Sequence, residues 1–337
     1  MIRKSTHPAD PSSSTVQARF VPVPGDICDP DLNRLRGMTV LITGAGGMLG
    51  RAFVEGLRPL DGDVRVLALT HEQLDVTNED AVLARAPDRP DVILHCAGLA
   101  LADACEREPE RARKVHVSGT RNVGRLALVT GARVVYPQSV FIFDGRELPV
   151  TERTRPSPGF VYSKVKLEAE QYLLAEVPGT LTIRMAGFFG GDEKDKNFVG
   201  KFVQELADLL DGGETVVEVG DRVWQPTYTL DLARNSLLLA AMRCHGVYHM
   251  GAIGEARFYD VARVCVDALG LGSRMTVVPC ASVAFEEMEA ARRPAQMVTA
   301  NERLVAEGLC RQRPWEDALR EYLQRPYFDK IRRAARR

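Results

Sequence analysis

Several features that mark membrane, secreted or nucleic-acid-binding proteins are missing from this sequence of 337 residues. No apolar run approaches the roughly 18 residues of a membrane-spanning helix, and residues 1–37 lack the apolar segment of a secretory signal. The seven cysteines form no C-x-x-C pair, so we expect neither a disulfide framework nor a metal site. With 44 basic and 45 acidic residues the net charge is −1, which argues against a nucleic-acid partner. These absences together favour a cytoplasmic protein.

The two ends of the chain differ in composition from the rest. Residues 1–37 are rich in serine and proline and predict a flexible N-terminal extension, with ordered structure beginning near Met38. Residues 324–337 form a basic C-terminal tail, whose arginines we interpret as cations at a fraying helix end.

Short β-branched runs alternate with helical patterns between these ends, which is typical of βαβ units and a parallel sheet. The predicted strands are Met38–Ile42, Val64–Leu69, Asp91–His95, Arg133–Tyr136 and Thr180–Arg184, and the predicted helices between them are Met48–Leu57, Glu79–Ala86, Glu110–Thr130 and Tyr162–Glu176. We therefore predict an α/β fold: a Rossmann-type doubly wound parallel sheet over 38–186, completed by parts of 222–252. A smaller C-terminal α/β substrate-binding domain takes up mainly 187–323.

A glycine-rich loop directly follows the first predicted strand. Gly44, Gly47 and Gly50 form a G-x-x-G-x-x-G pattern that leads into a helix. Glycine permits a tight turn and a close approach to a pyrophosphate, and the helix N-terminus offers free N–H groups. The pattern predicts a dinucleotide cofactor. The predicted cofactor-binding residues are Gly44, Gly47, Met48, Leu49, His71, Asp75, Val76, Cys96, Ala97, Gly98, Tyr162 and Lys166.

The second strand bears on the choice between NADH and NADPH. An acid at its end would favour NADH, whereas a cation there accommodates the 2′-phosphate of NADPH. This strand ends in Leu69, Thr70 and His71, without an acid at its tip. We expect NADPH or NADH, with a slight preference for NADPH.

A Y-x-x-x-K motif opens the predicted helix 162–176. The spacing places Tyr162 and Lys166 on one helix face. A lysine ammonium close to a tyrosine, whose ordinary pKa is about 10, stabilises the phenolate and eases proton exchange. Ser139 follows the predicted strand Arg133–Tyr136, at the sheet edge where ligands of such folds bind. We predict Ser139, Tyr162 and Lys166 as the catalytic residues.

With its glycine loop, Ser139 and the Y-x-x-x-K motif, the sequence resembles the extended short-chain dehydrogenase/reductase family. Within that family it resembles the dTDP-4-dehydrorhamnose reductase group. The resemblance covers about residues 38–323. The stretches that carry it are Leu74–Thr77 with Pro90–His95, Ala102–Glu110 with Gly119–Asn122, Ser139–Gly145, Lys166–Glu170, Gln225–Ala233 and Arg293–Ala295 with Pro314–Leu319.

The chain departs from that group where the family contacts its sugar. Val140 and Phe141 stand where the family has Asp-Tyr, and Gly187 replaces a tryptophan. The resemblance implies a substrate-binding role for Val140, Phe141, Gly187 and Gln225. Because related 4,6-dehydratases carry an Asp-Glu pair at the positions of Val140 and Phe141, dehydration is disfavoured.

The resemblance implies reduction of a nucleotide-linked, dTDP-type 4-keto-6-deoxysugar to the 4-hydroxy sugar. Two alternatives stay open. One is a non-catalytic, NADP-binding regulatory subunit similar to the β subunit of methionine adenosyltransferase, and the other is a nucleotide-sugar epimerase. A homodimer is among the assemblies that the sequence allows.

Overall fold

The centre of the molecule is a parallel sheet of six strands, seen in a computed structural model that describes residues 2–4, 30–213, 215–281 and 289–335. The strands in chain order are β1 (Ile2–Lys4), β2 (Thr39–Thr43), β3 (Arg65–Leu69), β4 (Val92–His95), β5 (Arg133–Ser139), β6 (Leu181–Met185), β7 (Phe188–Phe189), β8 (Val216–Gly220), β9 (Val223–Trp224), β10 (Thr227–Tyr228), β11 (Gly246–Met250), β12 (Ala256–Arg257) and β13 (Thr276–Cys280).

Helices alternate with these strands along most of the chain. The α-helices are α1 (Met48–Leu57), α2 (Glu79–Leu83), α3 (Ala102–Arg107), α4 (Pro109–Arg113), α5 (Gly119–Thr130), α6 (Val161–Glu176), α7 (Phe198–Asp211), α8 (Thr229–Ala241), α9 (Phe258–Ala268), α10 (Glu302–Ala306), α11 (Trp315–Tyr322) and α12 (Asp329–Ala335). The helix predicted over 110–130 is present as one uninterrupted helical run in which a π-helical segment at Lys114–Ser118 joins α4 to α5.

The strand order of the central sheet is β11-β6-β5-β4-β2-β3, with every pair parallel. Within this sheet, β2 is the first strand along the chain. The next strand, β3, lies on one side of it, and β4 lies on the other side after a crossover. The strand order therefore reverses between β2 and β4, and ligands of open α/β sheets bind at the carboxyl ends of the strands beside such a reversal. The α/β, Rossmann-type fold predicted from the sequence is confirmed.

Both faces of the sheet are buried under helices. Val40 and Ile42 of β2 face a core formed with α1 and α8, whereas Leu41 faces the core formed with α5 and α6. Alternate side chains of one strand thus enter different cores, which explains the nearly continuous apolar sequence of the strand.

A second layer packs at one end of this sheet. The strands β1, β8 and β13 form a mixed three-stranded sheet, and α7, α9 and α11 share one apolar core with it. The strand β11 returns to the central sheet beside β6. The exact domain boundaries stay predictions.

The two ends of the chain are more structured than we predicted. Pro30–Leu35 forms a 3₁₀ helix whose Leu32 and Leu35 are buried, so ordered structure begins before Met38. Ile2–Lys4 pairs with β8, and the remainder of the predicted flexible extension lies outside the described residues. Near the C-terminus, Phe328 is buried in the apolar core of the second layer, where its ring packs on Tyr322. The helix α12 follows Phe328.

None of the helices in the described parts of the chain has the length and apolar character needed to cross a membrane.

Candidate active site

The glycine loop lies at the strand-order reversal of the sheet. Gly44 has a φ of 64°. A Cβ added there would lie 2.7 Å from the backbone nitrogen of Ala97, in the loop after β4. A Cβ on Gly50 would lie 2.5 Å from the carbonyl oxygen of Gly44. Two glycines are therefore required because the turn, the helix and the neighbouring loop are closely packed.

Gly47 is exposed and caps α1 without a side-chain hydrogen bond, and the first turn of α1 carries no acidic residue. The N-terminus of this ten-residue helix consequently offers backbone N–H groups and the positive end of its dipole. This loop fits the pyrophosphate of a dinucleotide.

The glycine loop (44–50) and the loop after β4 (96–98) together form what we call the cradle. Thr43 connects its two loops, a role that was not predicted from the sequence. Its hydroxyl accepts a hydrogen bond from the backbone nitrogen of Ala97 (3.2 Å) and lies 2.9 Å from Nδ1 of His95. The other ring nitrogen of His95 lies 3.0 Å from the hydroxyl of Thr120. Burial lowers the pKa of His95 to about 3, so the imidazole is neutral and positions the loop.

The other predicted cofactor residues surround the cradle. Leu49 is buried, Met48 is contacted by the Asn197 amide, and Gly98 leaves room for His116.

Asp75 and His71 are exposed, while Val76 is buried and its carbonyl accepts a hydrogen bond from Asn122. The Asp75 carboxylate accepts from the backbone nitrogen of Thr77, which lowers its pKa. Cys96 follows β4, partly buried, and burial raises the pKa of its thiol to about 12.

Ser139, Tyr162 and Lys166 meet at the carboxyl end of β5. Ser139 is the last residue of that strand, and α6 begins at Val161, so the tyrosine and the lysine stand on its first turns. The Ser139 hydroxyl accepts a hydrogen bond from the backbone nitrogen of Phe141 (3.1 Å) and lies near enough to the Tyr162 side chain to lower its pKa. The Lys166 ammonium donates to the carbonyl of Pro137 (2.6 Å). The tertiary structure thus brings the three predicted catalytic residues together.

Burial shifts the pKa values of both titratable members. Burial raises the pKa of Tyr162 to about 12, and the nearby Ser139 side chain lowers this pKa by a smaller amount. Burial lowers the pKa of Lys166 to about 7, which the charge of Glu170 partly offsets. The tyrosine is therefore protonated at neutral pH, as a proton donor must be. The lysine ammonium loses its proton near neutral pH.

A buried ion pair lies one helical turn beyond Lys166. Arg184 binds both carboxylate oxygens of Glu170, at 2.6 and 3.2 Å, and its own guanidinium lies 3.5 Å from His249. The side chains of Arg184 and Glu170 are only 7% and 2% exposed. Arg184 is therefore held by a structural carboxylate.

The four predicted substrate residues differ in placement. Phe141 is partly buried and its ring packs on Phe160, beside Tyr162. Val140 is 2% exposed, because its side chain packs within an apolar cluster.

The other two substrate candidates contact the second layer. A Cβ on Gly187 would lie 2.8 Å from the ring of Trp224. The amide of Gln225 is used up by the backbone of Ala252 and Thr299. Gln225 therefore crosslinks the backbone at residues 252 and 299 in this structure.

The segment that contains Ala291 and Arg293 packs close to Tyr162. Arg293 forms an ion pair with Asp103 of α3 at 2.9 Å, and the same carboxylate accepts from the backbone nitrogen of Ala291. Ala291 packs with Phe160 next to Tyr162. Sequence reasoning missed this contact, because Asp103 and Arg293 are 190 residues apart.

Comparisons with known proteins agree with this geometry. Residues 38–328 match the model of the RmlD substrate binding domain family. The dTDP-4-dehydrorhamnose reductase of Mycolicibacterium smegmatis is 32% identical over 84% of this chain and 84% of its own. The dTDP-4-keto-6-deoxy-D-glucose reductase of Streptomyces niveus is 34% identical over 83% of this chain and 94% of its own.

A solved structure of dTDP-4-dehydrorhamnose reductase from Bacillus anthracis, in complex with NADP, superposes with a TM-score of 0.75. It is 26% identical and covers 85% of this chain and 98% of its own. The β subunit of methionine adenosyltransferase 2 from Xenopus tropicalis is 30% identical over 76% of this chain and 79% of its own. The matched family model and the two bacterial reductases, each above 30% identity over most of both chains, show that this chain belongs to the dTDP-4-dehydrorhamnose reductase (RmlD) family.

Proposed function

We propose that this protein reduces the 4-keto group of a nucleotide-linked 6-deoxysugar, with NADPH as the reductant. The observation that carries the proposal is the meeting of Ser139, Tyr162 and Lys166 at the sheet edge beside the glycine cradle. The names of the bacterial reductases in the same family support the substrate class, and the NADP complex supports the cofactor.

The residues of the cradle hold the cofactor in this proposal. The N–H groups at the start of α1 bind the pyrophosphate, and the loop of Ala97 and Gly98 lies along the dinucleotide. When bound, NADPH supplies the hydride that adds to the ketone carbon. Lys166, anchored on the Pro137 carbonyl, lies on the same helix face as Tyr162 and orients the ribose.

The chain's own residues deliver the proton. Ser139 donates a hydrogen bond to the ketone oxygen and orients the carbonyl. Tyr162 transfers its hydroxyl proton to that oxygen, so the C=O double bond becomes a C–OH group with new C–H and O–H bonds. With its pKa near 12, Tyr162 is fully protonated before the reaction, and the cationic Lys166 stabilises the phenolate that remains.

The test is consumption of NADPH with a dTDP-4-keto-6-deoxyhexose. Wild-type protein should oxidise NADPH and form the 4-hydroxy sugar in equal amounts. Tyr162→Phe should lose about 10²- to 10⁴-fold in kcat, the usual contribution of a positioned proton donor, while NADPH still binds. Unchanged turnover in Tyr162→Phe would refute the assigned donor.

The two alternatives give different results in the same assay. A nucleotide-sugar epimerase recycles its cofactor, so it would convert the sugar without net NADPH consumption. A regulatory subunit such as the methionine adenosyltransferase β subunit would bind NADPH, turn over no ketosugar, and co-purify with a partner. The complete Ser139–Tyr162–Lys166 set favours a catalytic protein over a regulatory subunit, and the bacterial reductases of the same family favour reduction over epimerisation.

The setting of the reaction follows from the same proposal. We place the protein in the cytosol, since Cys96, Cys105, Cys244, Cys265 and Cys310 are thiols outside any disulfide. The substrate is a nucleotide sugar, and a homodimer is the proposed assembly, which sedimentation of the purified protein tests.

A further inference from the structure

A cavity of about 440 Å³ lies at the amino-terminal edge of the central sheet, away from the active site. Its walls include Met38 just before β2, Asp91 just before β4, and Arg133, the first residue of β5. The catalytic Ser139 is the last of the seven residues of β5. At about 3.3 Å per residue, the two sites are roughly 20 Å apart along that strand.

Three arginines line this cavity, namely Arg89, Arg133 and Arg243. The carboxylate among its lining residues is Asp91, and it accepts a hydrogen bond from the backbone nitrogen of Thr39 (2.8 Å). Positive charge therefore exceeds negative charge in the wall of the cavity.

Two of these cations have no protein counter-ion within the described part of the chain. Arg89 and Arg243 are exposed and form neither an ion pair nor a side-chain hydrogen bond there. Most arginines nearby are paired, for example Arg65 and Arg85 with Asp88. Arg133 is partly buried, donates to the carbonyl of Ala240, and its pKa is lowered by burial and by the charge of Arg243.

The backbone at two of these positions is unusual. Arg89 and Arg243 have φ values of 48° and 57°, and Asp192 is the remaining non-glycine residue with positive φ in the described chain. Each residue follows a helix, Arg89 after the 3₁₀ helix Ala86–Asp88 and Arg243 after the cap of α8, where a left-handed residue ends the helix. This left-handed conformation occurs here at two arginines of one cavity.

We propose that this cavity is a second ligand site, which binds a small molecule carrying a phosphate or pyrophosphate group. The guanidinium group matches phosphate oxygens in bidentate geometry, and three such groups around one cavity suit a ligand with two or more negative charges. The volume lies in the range of small-molecule sites.

The experiment is a calorimetric titration of inorganic pyrophosphate into the full-length protein. NADPH and dTDP are present in excess so that the proposed cofactor and nucleotide-sugar sites are filled. The test variant is Arg89→Gly/Arg243→Gly, because glycine accepts positive φ without strain and both side chains are exposed. Its fold can be verified from an unchanged or raised melting temperature.

The matched control is Arg263→Ala, which removes an equally exposed arginine from α9 in the second layer. Wild type and Arg263→Ala should bind pyrophosphate with the same saturable isotherm, and the double glycine variant should bind at least tenfold more weakly. The absence of saturable binding in wild type, or equal binding in the double variant, would overturn the proposal and leave three solvated arginines.

Discussion

The indole ring of Trp224 covers Gly187 at the carboxyl end of β6. A Cβ on Gly187 would lie 2.8 Å from Cε3 of that ring, and Phe198 and Phe258 pack on the tryptophan from other sides. Because Ser139 and Met185 are paired across β5 and β6, this contact lies close to the catalytic edge. An aromatic ring from β9 thus lies over the backbone of Gly187.

This packing predicts that Gly187→Ala destabilises the protein. The ring cannot withdraw freely, so we expect a loss of about 1–3 kcal/mol in the free energy of unfolding, as is usual for overpacking. Urea denaturation measures it. Gly159→Ala is the control, since its Cβ would meet no atom within 4 Å. The loss should shrink in the background of Trp224→Phe, and an equal loss there would contradict the assigned clash.

The pKa of Lys166 predicts an alkaline limb in the pH profile. If the ammonium form is the active one, kcat/KM should fall as the pH rises through about 7, where the buried lysine of the free enzyme loses its proton. Bound NADPH is anionic and raises that pKa, so the limb of kcat should lie at higher pH.

Lys166→Arg tests this assignment, because a guanidinium stays charged at all accessible pH values. We expect lower activity in Lys166→Arg but a profile without the limb near pH 7. If the limb near pH 7 persists unchanged in Lys166→Arg, a group other than Lys166 causes it.

The buried Arg184–Glu170 pair predicts a large effect of removing one partner. Arg184→Leu leaves a carboxylate whose side chain is 2% exposed without its counter-ion, so we expect a loss of about 3–5 kcal/mol in the free energy of unfolding. The double variant Arg184→Leu/Glu170→Leu should recover most of that loss. The control Arg153→Ala breaks an exposed pair with Glu302 and should cost less than about 1 kcal/mol. Additive losses in the double variant would contradict the pairing.

The end of β3 predicts how the cofactor preference can be altered. The methyl group of Thr70 lies 3.6 Å from where a Cβ on Gly46 would be, so this side chain adjoins the glycine loop. A carboxylate there would repel a 2′-phosphate and accept a hydrogen bond from a 2′-hydroxyl.

Thr70→Asp should therefore lower the ratio of kcat/KM for NADPH to that for NADH at least tenfold. Thr276→Asp adds the same charge on the exposed strand β13 and should leave the ratio unchanged. A ratio unaffected by Thr70→Asp would show that the ribose is bound elsewhere.

Periodicity and glycine spacing were sufficient to predict the central strands, the cradle and the catalytic helix, because these features depend on neighbours a few residues apart. They were insufficient for the N-terminal segment, where polar composition suggested flexibility although Leu32 and Leu35 are buried. The family resemblance also suggested that Val140 and Gln225 contact substrate, whereas the structure uses one in an apolar cluster and the other as a crosslink of the backbone.

The sequence alone thus determined the fold class, the family and the chemistry-bearing side chains, since each is written in local patterns. The tertiary structure decided which groups meet. It brought Ser139 to Tyr162, Trp224 onto Gly187, and three arginines around one cavity. Such contacts depend on strand order and on the return of distant segments, which the missing cysteine pairs and balanced charge could not reveal. Those absences excluded classes of protein, and the packing of side chains far apart in the chain formed the site.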